Sequence, residues 1–337
     1  MELEVKKSLY EFIENRTMIC KILVVGDIML DKYYYGEVSR ISPEAPVPIN
    51  HVVKIKNTLG GAANVAHNIS LLGAEIFLIG RIGKDHHAEN LRDKLSERGI
   101  DPLNLIETHE PTTTKIRVIG GHQQMLRLDF ENVLPADDEQ TEQILKQAEE
   151  KIHAGANILI ISDYGKGICT EKICQSLIDL CIANNVRVIV DPKGTRWEKY
   201  SRANYITPNF SELNSVLDSQ VENVDAAIET AGKFIMKKFS IENVLATRSS
   251  HGLSLISPAF ARHIPTKAQE VFDVSGAGDT VIAVFSLALA GGLEPIAAAY
   301  LANLAASVVV AKVGTYAVSR DELLKRIEQS MKKSKHI

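Results

Sequence analysis

Apolar residues fall along the chain in short β-branched runs, separated by longer stretches with helical spacing. Lys21-Ile22-Leu23-Val24-Val25 reads as a buried strand and Ala62 to Leu72 as a helix. Ile76-Phe77-Leu78-Ile79 (strand) and Ala88 to Arg98 (helix) follow. The rhythm resumes with a strand at Asn157 to Ile161, a helix at Glu171 to Asn184, and strands at Val186 to Val190 and Asn204 to Ile206. Val244-Leu245-Ala246 and Leu253-Ser254-Leu255-Ile256 are further strands. Such alternation predicts an α/β fold: a mostly parallel sheet with helices on both faces.

Two regions break the rhythm. Asp31 to Lys56 is rich in Tyr, Pro and β-branched residues without a helical period, and Lys115 to Phe130 reads as two strands, Lys115 to Ile119 and Met125 to Phe130, around Gly120-Gly121. Inserted after early strands of an α/β core, segments of about 31–56 and 112–131 would form a small β-sheet lid over the sheet edge where such folds bind ligands. No repeat, low-complexity tract or linker marks a second unit, so 1–337 reads as a single domain.

Composition narrows the classes. A hydrophobic content of 45% with 24% charged residues is that of a globular protein, not a disordered one. A net charge of -4 supplies no broad basic field and argues against nucleic acid as a partner. The most apolar tract, Val281 to Leu289, is too short for a bilayer, which takes roughly 20 residues, and Met1 to Arg16 has no signal-peptide core. A cytoplasmic location is the expectation. Cys169, Cys174 and Cys181 fall in one expected helical region with no C-x-x-C pair, so free thiols are expected rather than a zinc site.

The chemistry concentrates in Asp273-Val274-Ser275-Gly276-Ala277-Gly278-Asp279-Thr280, followed at once by an apolar helix. Glycines let backbone approach a ligand, and a helix N-terminus adds unpaired N–H donors and the positive dipole end, which together make an anion site. A carboxylate there repels bound phosphate unless it accepts a proton from an incoming hydroxyl. By spacing alone, Asp279 suits that base and a helix N-cap equally well.

This segment resembles the signature of the PfkB (ribokinase-like) carbohydrate kinases. Leu59-Gly60-Gly61-Ala62-Ala63-Asn64-Val65-Ala66 is similar to that family's N-terminal glycine pair and helix, and Thr207-Pro208-Asn209-Phe210-Ser211-Glu212 to its N-x-x-E motif. The resemblance implies a Rossmann-type three-layer core with a β lid and an ATP-dependent phosphotransfer to a sugar alcohol group. It makes Asp279 the base and the Gly276, Ala277 and Gly278 amides the cradle for developing charge. Asn209, Phe210, Ser211 and Glu212 come to the nucleotide phosphates, Glu212 setting Mg²⁺ through water. Thr247, Arg248, Ser249 and Gly252 form a nucleotide-side turn. Asp31, Gly60, Gly61 and Asn64 hold the sugar, the glycines by letting hydroxyls reach backbone and Asn64 by facing a diol. A monovalent cation is left open. Read without the family, Gly60-Gly61 is a helix start, Asp31 a strand-end turn, and Asn209 with Glu212 a capping box.

Further segments are similar to the heptose 7-phosphate kinases, free-standing or as the first domain of bifunctional kinase/adenylyltransferases. They are Val25 to Tyr33, Ser39 to Pro48, Ser162-Asp163-Tyr164-Gly165-Lys166-Gly167, Asp191-Pro192-Lys193-Gly194-Thr195 and Gln269 to Asp273. Ala62 stands where many ribokinases carry Lys. The implied reaction is ATP with D-glycero-β-D-manno-heptose 7-phosphate giving the 1,7-bisphosphate, a step in ADP-heptose biosynthesis. A substrate phosphate needs cations away from Asp279. Arg117, Lys166 and Lys193 are named first from a set that includes Lys115 and Arg127, and a solvated face is the alternative for the lid cations. No H-x-G-H motif occurs, so nucleotide activation is assigned to another protein. Tyr33-Tyr34-Tyr35 and the apolar positions of Val47 to Ile55 would either pair two lids into a homodimer or pack over the sugar.

The rivals fare worse. No G-x-G-x-x-G follows the first strand and no G-x-x-x-x-G-K-[ST] occurs, which removes dinucleotide oxidoreductases and P-loop kinases. A PfkB-type kinase for another sugar stays open. A non-catalytic sugar-binding regulator would be marked by a lost Asp279 or glycine pair, and both are intact.

Overall fold

The computed structural model describes residues 3–266, 271–312 and 314–333. Gln269 and Glu270, in one of the segments quoted above, lie outside the described residues, as does the chain beyond Lys333. Helix α1 (Leu3–Asn15) and strand β1 (Lys21–Gly26) come first, followed by two long strands, β2 (Ile28–Ile41) and β3 (Pro48–Gly61). Next are α2 (Ala62–Leu71), β4 (Glu75–Ile82), α3 (His86–Glu97), β5 (Leu105–Glu107), β6 (Thr114–Gly120) and β7 (Gln123–Phe130). Then come α4 (Asp138–His153), β8 (Ile158–Ser162), α5 (Glu171–Ala183), β9 (Arg187–Asp191), β10 (Tyr205–Ile206) and α6 (Phe210–Ser215). Last are α7 (Asp225–Phe239), β11 (Asn243–Thr247), β12 (Leu253–Ile256), β13 (Ala261–Ile264), α8 (Ala277–Ala290), α9 (Pro295–Val309) and α10 (Arg320–Lys333).

The larger sheet has nine strands in the order β13-β12-β11-β10-β9-β8-β1-β4-β5. Its strands from β11 to β5 pair in parallel, while β12 and β13 run antiparallel at one edge. Period-two alternation divides β1 between two cores: Ile22 and Val24 join α1, α2, α8 and α9 on one face, and Leu23 and Val25 join α4, α5 and α7 on the other. Helices on both faces give three layers, as the alternating pattern predicts. The helix that begins the apolar tract is buried continuously from Asp279 to Leu289. Such a helix has no polar face to read, and its Phe285 meets Tyr205 edge-on at 5.1 Å.

The two irregular regions form a separate four-stranded sheet in the order β3-β2-β6-β7. Strands β2 and β3 pair from Ile28–Gly61, at the core, out to Ile41–Pro48, so the lid is a continuation of the same ladder. Register shifts fall between Tyr35 and Gly36 and between Val38 and Arg40. Among the cysteines, Cys174 and Cys181 lie in α5, but Cys169 precedes that helix, whose N-cap is Thr170. All four are free and buried.

Close approach at the end of β1 is tight enough to test. A Cβ added to Gly26 would stand 2.2 Å from the Ser162 carbonyl oxygen of β8, a backbone atom that cannot swing aside. Gly26→Ala should therefore cost about 1–3 kcal/mol in urea unfolding.

Candidate active site

The ends of β1, β8 and β9, the start of α8 and the base of the lid converge on one carboxylate. Gly276 takes the left-handed conformation (φ 79°) and caps α8, which leaves Asp279 as the third residue of the helix and not its N-cap. The amide of Ala277 donates to the Val274 carbonyl (3.2 Å), while the amides of Gly278 and Asp279 stand in the first turn, where no carbonyl of the same helix can satisfy them. Asp273 steadies the approach: its Oδ1 accepts from the Ser275 amide (2.9 Å) and its Oδ2 from that of Gly314 (2.9 Å).

Asp279 is 7% exposed. Its Oδ2 accepts from Asn64 Nδ2 at 2.6 Å, and its Oδ1 accepts from the Tyr164 phenol. Burial pushes the carboxyl above the ordinary carboxylate range. Those two donors pull it down, the Asp31 charge adds to the rise and the Lys115 ammonium opposes it. Asn64, expected to face a sugar diol, thus commits one of its two amide N–H donors to Asp279. The reason is placement: it is buried on α2, which packs against α8.

Gly60 and Gly61 end β3 and enter α2. A Cβ on Gly60 would lie 2.6 Å from Asp31 Oδ2, and one on Gly61 (φ 56°) 2.4 Å from the Asp27 carbonyl. The missing side chains make room for Asp31 and for the β1–β2 junction. Asp31 is 3% exposed and accepts from Arg117 Nη1 at 2.5 Å; that guanidinium also lies 5.3 Å from the Tyr33 ring centre. Burial alone would lower the Arg117 proton affinity, but Asp31, with Tyr33 and Asp129 adding to it, makes the net shift upward.

The other cations divide. Lys166 reaches the Glu131 carboxylate at 2.7 Å, its position set by its own amide, which donates to Asp27 Oδ2. Lys193, expected near the sugar, is half-exposed and donates to Glu212 Oε1 at 3.0 Å, which puts it beside the N-x-x-E residues instead. Arg127 pairs with Asp129 on the exposed side of β7. The Lys115 ammonium makes no side-chain hydrogen bond or ion pair among the described residues. Burial and the neighbouring Lys166 charge hold its ammonium below the ordinary lysine range. It is a half-buried cation with the acids Asp31, Asp129 and Glu131 nearby.

On the other flank Asn209 and Glu212 form a complete capping box at the start of α6 (2.9 and 3.0 Å). Phe210 packs on the core and Ser211 is exposed. Thr247 ends β11 and bridges to Asn209, while Ser249 (φ 53°) and Gly252 (φ 83°) shape the turn after it. Arg248 departs from expectation. Its side chain is turned into the protein, 1% exposed, with hydrogen bonds to Asn223 (2.8 Å), Asp225 (2.5 Å) and Ser254 (3.0 Å). Residue type cannot show which way an arginine in a turn points.

Three residues carry more of the site than their sequence signals suggested. Asp27 accepts from the amides of Tyr164 (2.8 Å), Lys166 (2.9 Å) and Ile168 (3.3 Å). Asp163 accepts from the Gly165 amide (2.7 Å), the Tyr200 phenol (2.6 Å) and Lys199 Nζ. Asp191, at the end of β9, is driven well above the ordinary carboxylate range by burial and then by the charges of Asp279 and Glu212. Their signals were an Asp directly after, or ending, an apolar strand, and a place in segments quoted above without a role for the residue itself.

A buried carboxylate at a helix N-terminus, between a small separate sheet and a capping box, fits a phosphoryl-transfer enzyme of the sugar-kinase type. Residues 20–322 match the model of the pfkB family carbohydrate kinases, and the chain belongs to that family. It is 44% identical over 312 residues to a protein named bifunctional protein HldE from Hahella chejuensis, and 43% identical over 310 residues to one of the same name from Pseudomonas fluorescens. Each alignment covers 92% of this chain but 64% of the relative, so the chain spans less than two thirds of their length. Its fold is that of phosphofructokinase-2 from Escherichia coli, solved in complex with potassium (TM-score 0.76, 19% identity, 93% of this chain and 99% of that one). It is equally that of Arabidopsis thaliana ribokinase complexed with ribose and ATP (TM-score 0.72, 20% identity, 92% and 99%). Among the described residues no helix is long and apolar enough to cross a membrane.

Because the Arg248 guanidinium is enclosed, Arg248→Met should lower unfolding stability by about 1–3 kcal/mol, the partly exposed Asp225 keeping the loss below that of a fully buried pair. At a temperature where the variant stays folded, the KM for ATP should be unchanged.

Proposed function

We propose that the chain transfers the γ-phosphoryl group of ATP to the C1 hydroxyl of D-glycero-β-D-manno-heptose 7-phosphate, giving the 1,7-bisphosphate and ADP, with both sheets serving as one kinase unit. The observation that carries the phosphotransfer is the buried Asp279 carboxylate at the N-terminus of α8, faced by Asp31 and Lys115 of the lid. The heptose phosphate is supported by the segments similar to heptose 7-phosphate kinases and by the half-buried cations Lys115 and Lys166 near the base of the lid.

Asp279 would take the proton of the anomeric hydroxyl as that oxygen bonds to the γ-phosphorus. The bond from the γ-phosphorus to the bridging oxygen breaks and its electron pair leaves with ADP. The free amides at Gly278 and Asp279, with the helix dipole, face the charge that develops. Asp31 would orient sugar hydroxyls once its bond to Arg117 is shared, and Lys115 and Lys166 would hold the distal phosphate. Glu212 fits a water-mediated Mg²⁺ site: its oxygens already serve the Asn209 amide and Lys193, which leaves lone pairs better suited to metal-bound water than to a full ligand role. Bound there, Mg²⁺ would neutralise nucleotide phosphate charge. Lid closure would exclude water and prevent idle ATP hydrolysis.

The remaining parts of the reading are a cytoplasmic location, an adenylyl-transfer step that consumes the product, and a homodimer. The exposed lid residues Ile41, Val53, Ile55 and Leu126 (52–63% exposed) support pairing of two lids.

ADP release with Mg-ATP should be strong with heptose 7-phosphate and weak with sedoheptulose 7-phosphate, fructose 6-phosphate, ribose and fructose. Asp279→Asn should cut kcat by about 10²–10⁴-fold. Lys115→Met and Lys166→Met should each raise the KM for the sugar phosphate by about tenfold or more. Strong release with another sugar would keep the kinase and replace the substrate. Repeating the assay in K⁺ and in Na⁺ tests the monovalent cation.

A further inference from the structure

The loop after β8 carries one side chain that the transfer described above leaves without a task. Tyr164 sits between two anchors: Asp27 takes its amide and those of Lys166 and Ile168, and Asp163 takes the amide of Gly165. Asp163 is itself held by Tyr200 and Lys199. The backbone on either side of Tyr164 is thereby fixed, and the phenol is delivered to Oδ1 of Asp279. We propose that Tyr164 is the positioning residue of the general base: its phenol, opposite the Asn64 amide, fixes the Asp279 carboxylate plane and keeps that group in its proton-accepting form.

The geometry leaves the carboxylate little freedom. Each oxygen has its own donor, Tyr164 on Oδ1 and Asn64 on Oδ2, so rotation of the carboxylate breaks both bonds at once. The remaining lone pairs are what an incoming hydroxyl can use.

The charges around Asp279 show why a donor is needed. From β2 it is faced by Asp31, from β6 by Lys115 and from the end of β9 by Asp191, with Glu212 of α6 acting on Asp191 and Tyr164. Burial and the Asp31 charge, opposed by one lysine, press a proton onto Asp279, and a protonated Asp279 cannot accept one. A hydrogen bond to the charged form works against that pressure. Tyr164 can supply it across the working pH range: burial and then the Asp279 charge hold its phenol well above the ordinary tyrosine range, so it remains a donor. Phenylalanine would preserve the ring and remove only this bond.

This inference rests on Asp279 being the base, and the experiment separates the two. The pH profile of kcat/KM for the sugar phosphate is measured for wild type, for Tyr164→Phe, and for protein with 3-fluorotyrosine at position 164. Titration of the substrate phosphate is common to all three, so differences in the acid limb belong to the enzyme. Tyr164→Phe should move the acid limb upward by about one to two pH units, with activity recovering toward wild type above it. The more acidic fluorophenol donates more strongly and should move the limb downward. A folded Tyr164→Phe protein whose limb does not move overturns the proposal, even if its rate is lower at every pH. Should Tyr164→Phe not fold, the fluorotyrosine protein decides: a downward shift supports the proposal and an unmoved limb ends it. An Asp279→Asn enzyme that stays active removes the base, and this role with it. An inactive Asp279→Asn enzyme with an unmoved limb in the tyrosine variants removes only the role of Tyr164.

Discussion

Asp27 is the joint on which the site hangs. It stands one residue past β1, where its amide donates to the Ser162 carbonyl of β8 and its carbonyl accepts from Ala62 at the start of α2. Its side chain gathers three amides of the loop after β8. One buried residue therefore fixes the relative positions of β8, α2 and the Tyr164–Lys166 loop. Burial and the nearby Asp163 raise its proton affinity, and the gathered amides oppose that rise. An apolar residue here would leave three N–H groups without partners, the buried Ile168 amide at a cost of about 1–3 kcal/mol and the part-buried Tyr164 and Lys166 amides at less.

The electrostatics of the pocket are those of a site whose cations are already engaged. Arg117 is held by Asp31, Lys166 by Glu131 and Lys193 by Glu212. Such pairs keep cations and acids compensated while no anion is present, and they set a competition that an arriving phosphate has to win. Lys115 is different, its ammonium lying near acids and forming no ion pair among the described residues. An anion entering there meets a charge that has no bond to give up.

Local pattern carried much of the architecture. Short β-branched runs marked the core strands, and the two stretches without helical period became the lid sheet. The glycine-rich segment lies at the start of a buried helix as its composition implied. What stayed hidden depended on three-dimensional register. Asp31 and Arg117 are 86 residues apart, and only the parallel pairing of β2 with β6 brings them together. Arg248 sits in the expected turn, but its direction follows from Asn223 and Asp225, which no motif includes. Helix α9 escaped notice because it is apolar around nearly its whole circumference and offers no stripe. Tyr164 and Asp163 stood in a quoted segment, yet their roles appear only once the loop is seen folded back on Asp27 and Asp279.

The continuous ladder of β2 and β3 has a mechanical consequence. Those strands leave the core beside the catalytic pocket and run unbroken to the tip of the lid, with no connecting loop at their base. A plate joined in this way behaves as a cantilever, not as a door on a pin: displacing its tip stores elastic strain along the strands. The register shifts near Gly36 and Val38 are where the ladder is weakest, so bending should concentrate in the outer half. The inner half, which carries Asp31 and Gly60, would then stay stiff, and those residues would keep their places while the outer sheet moves.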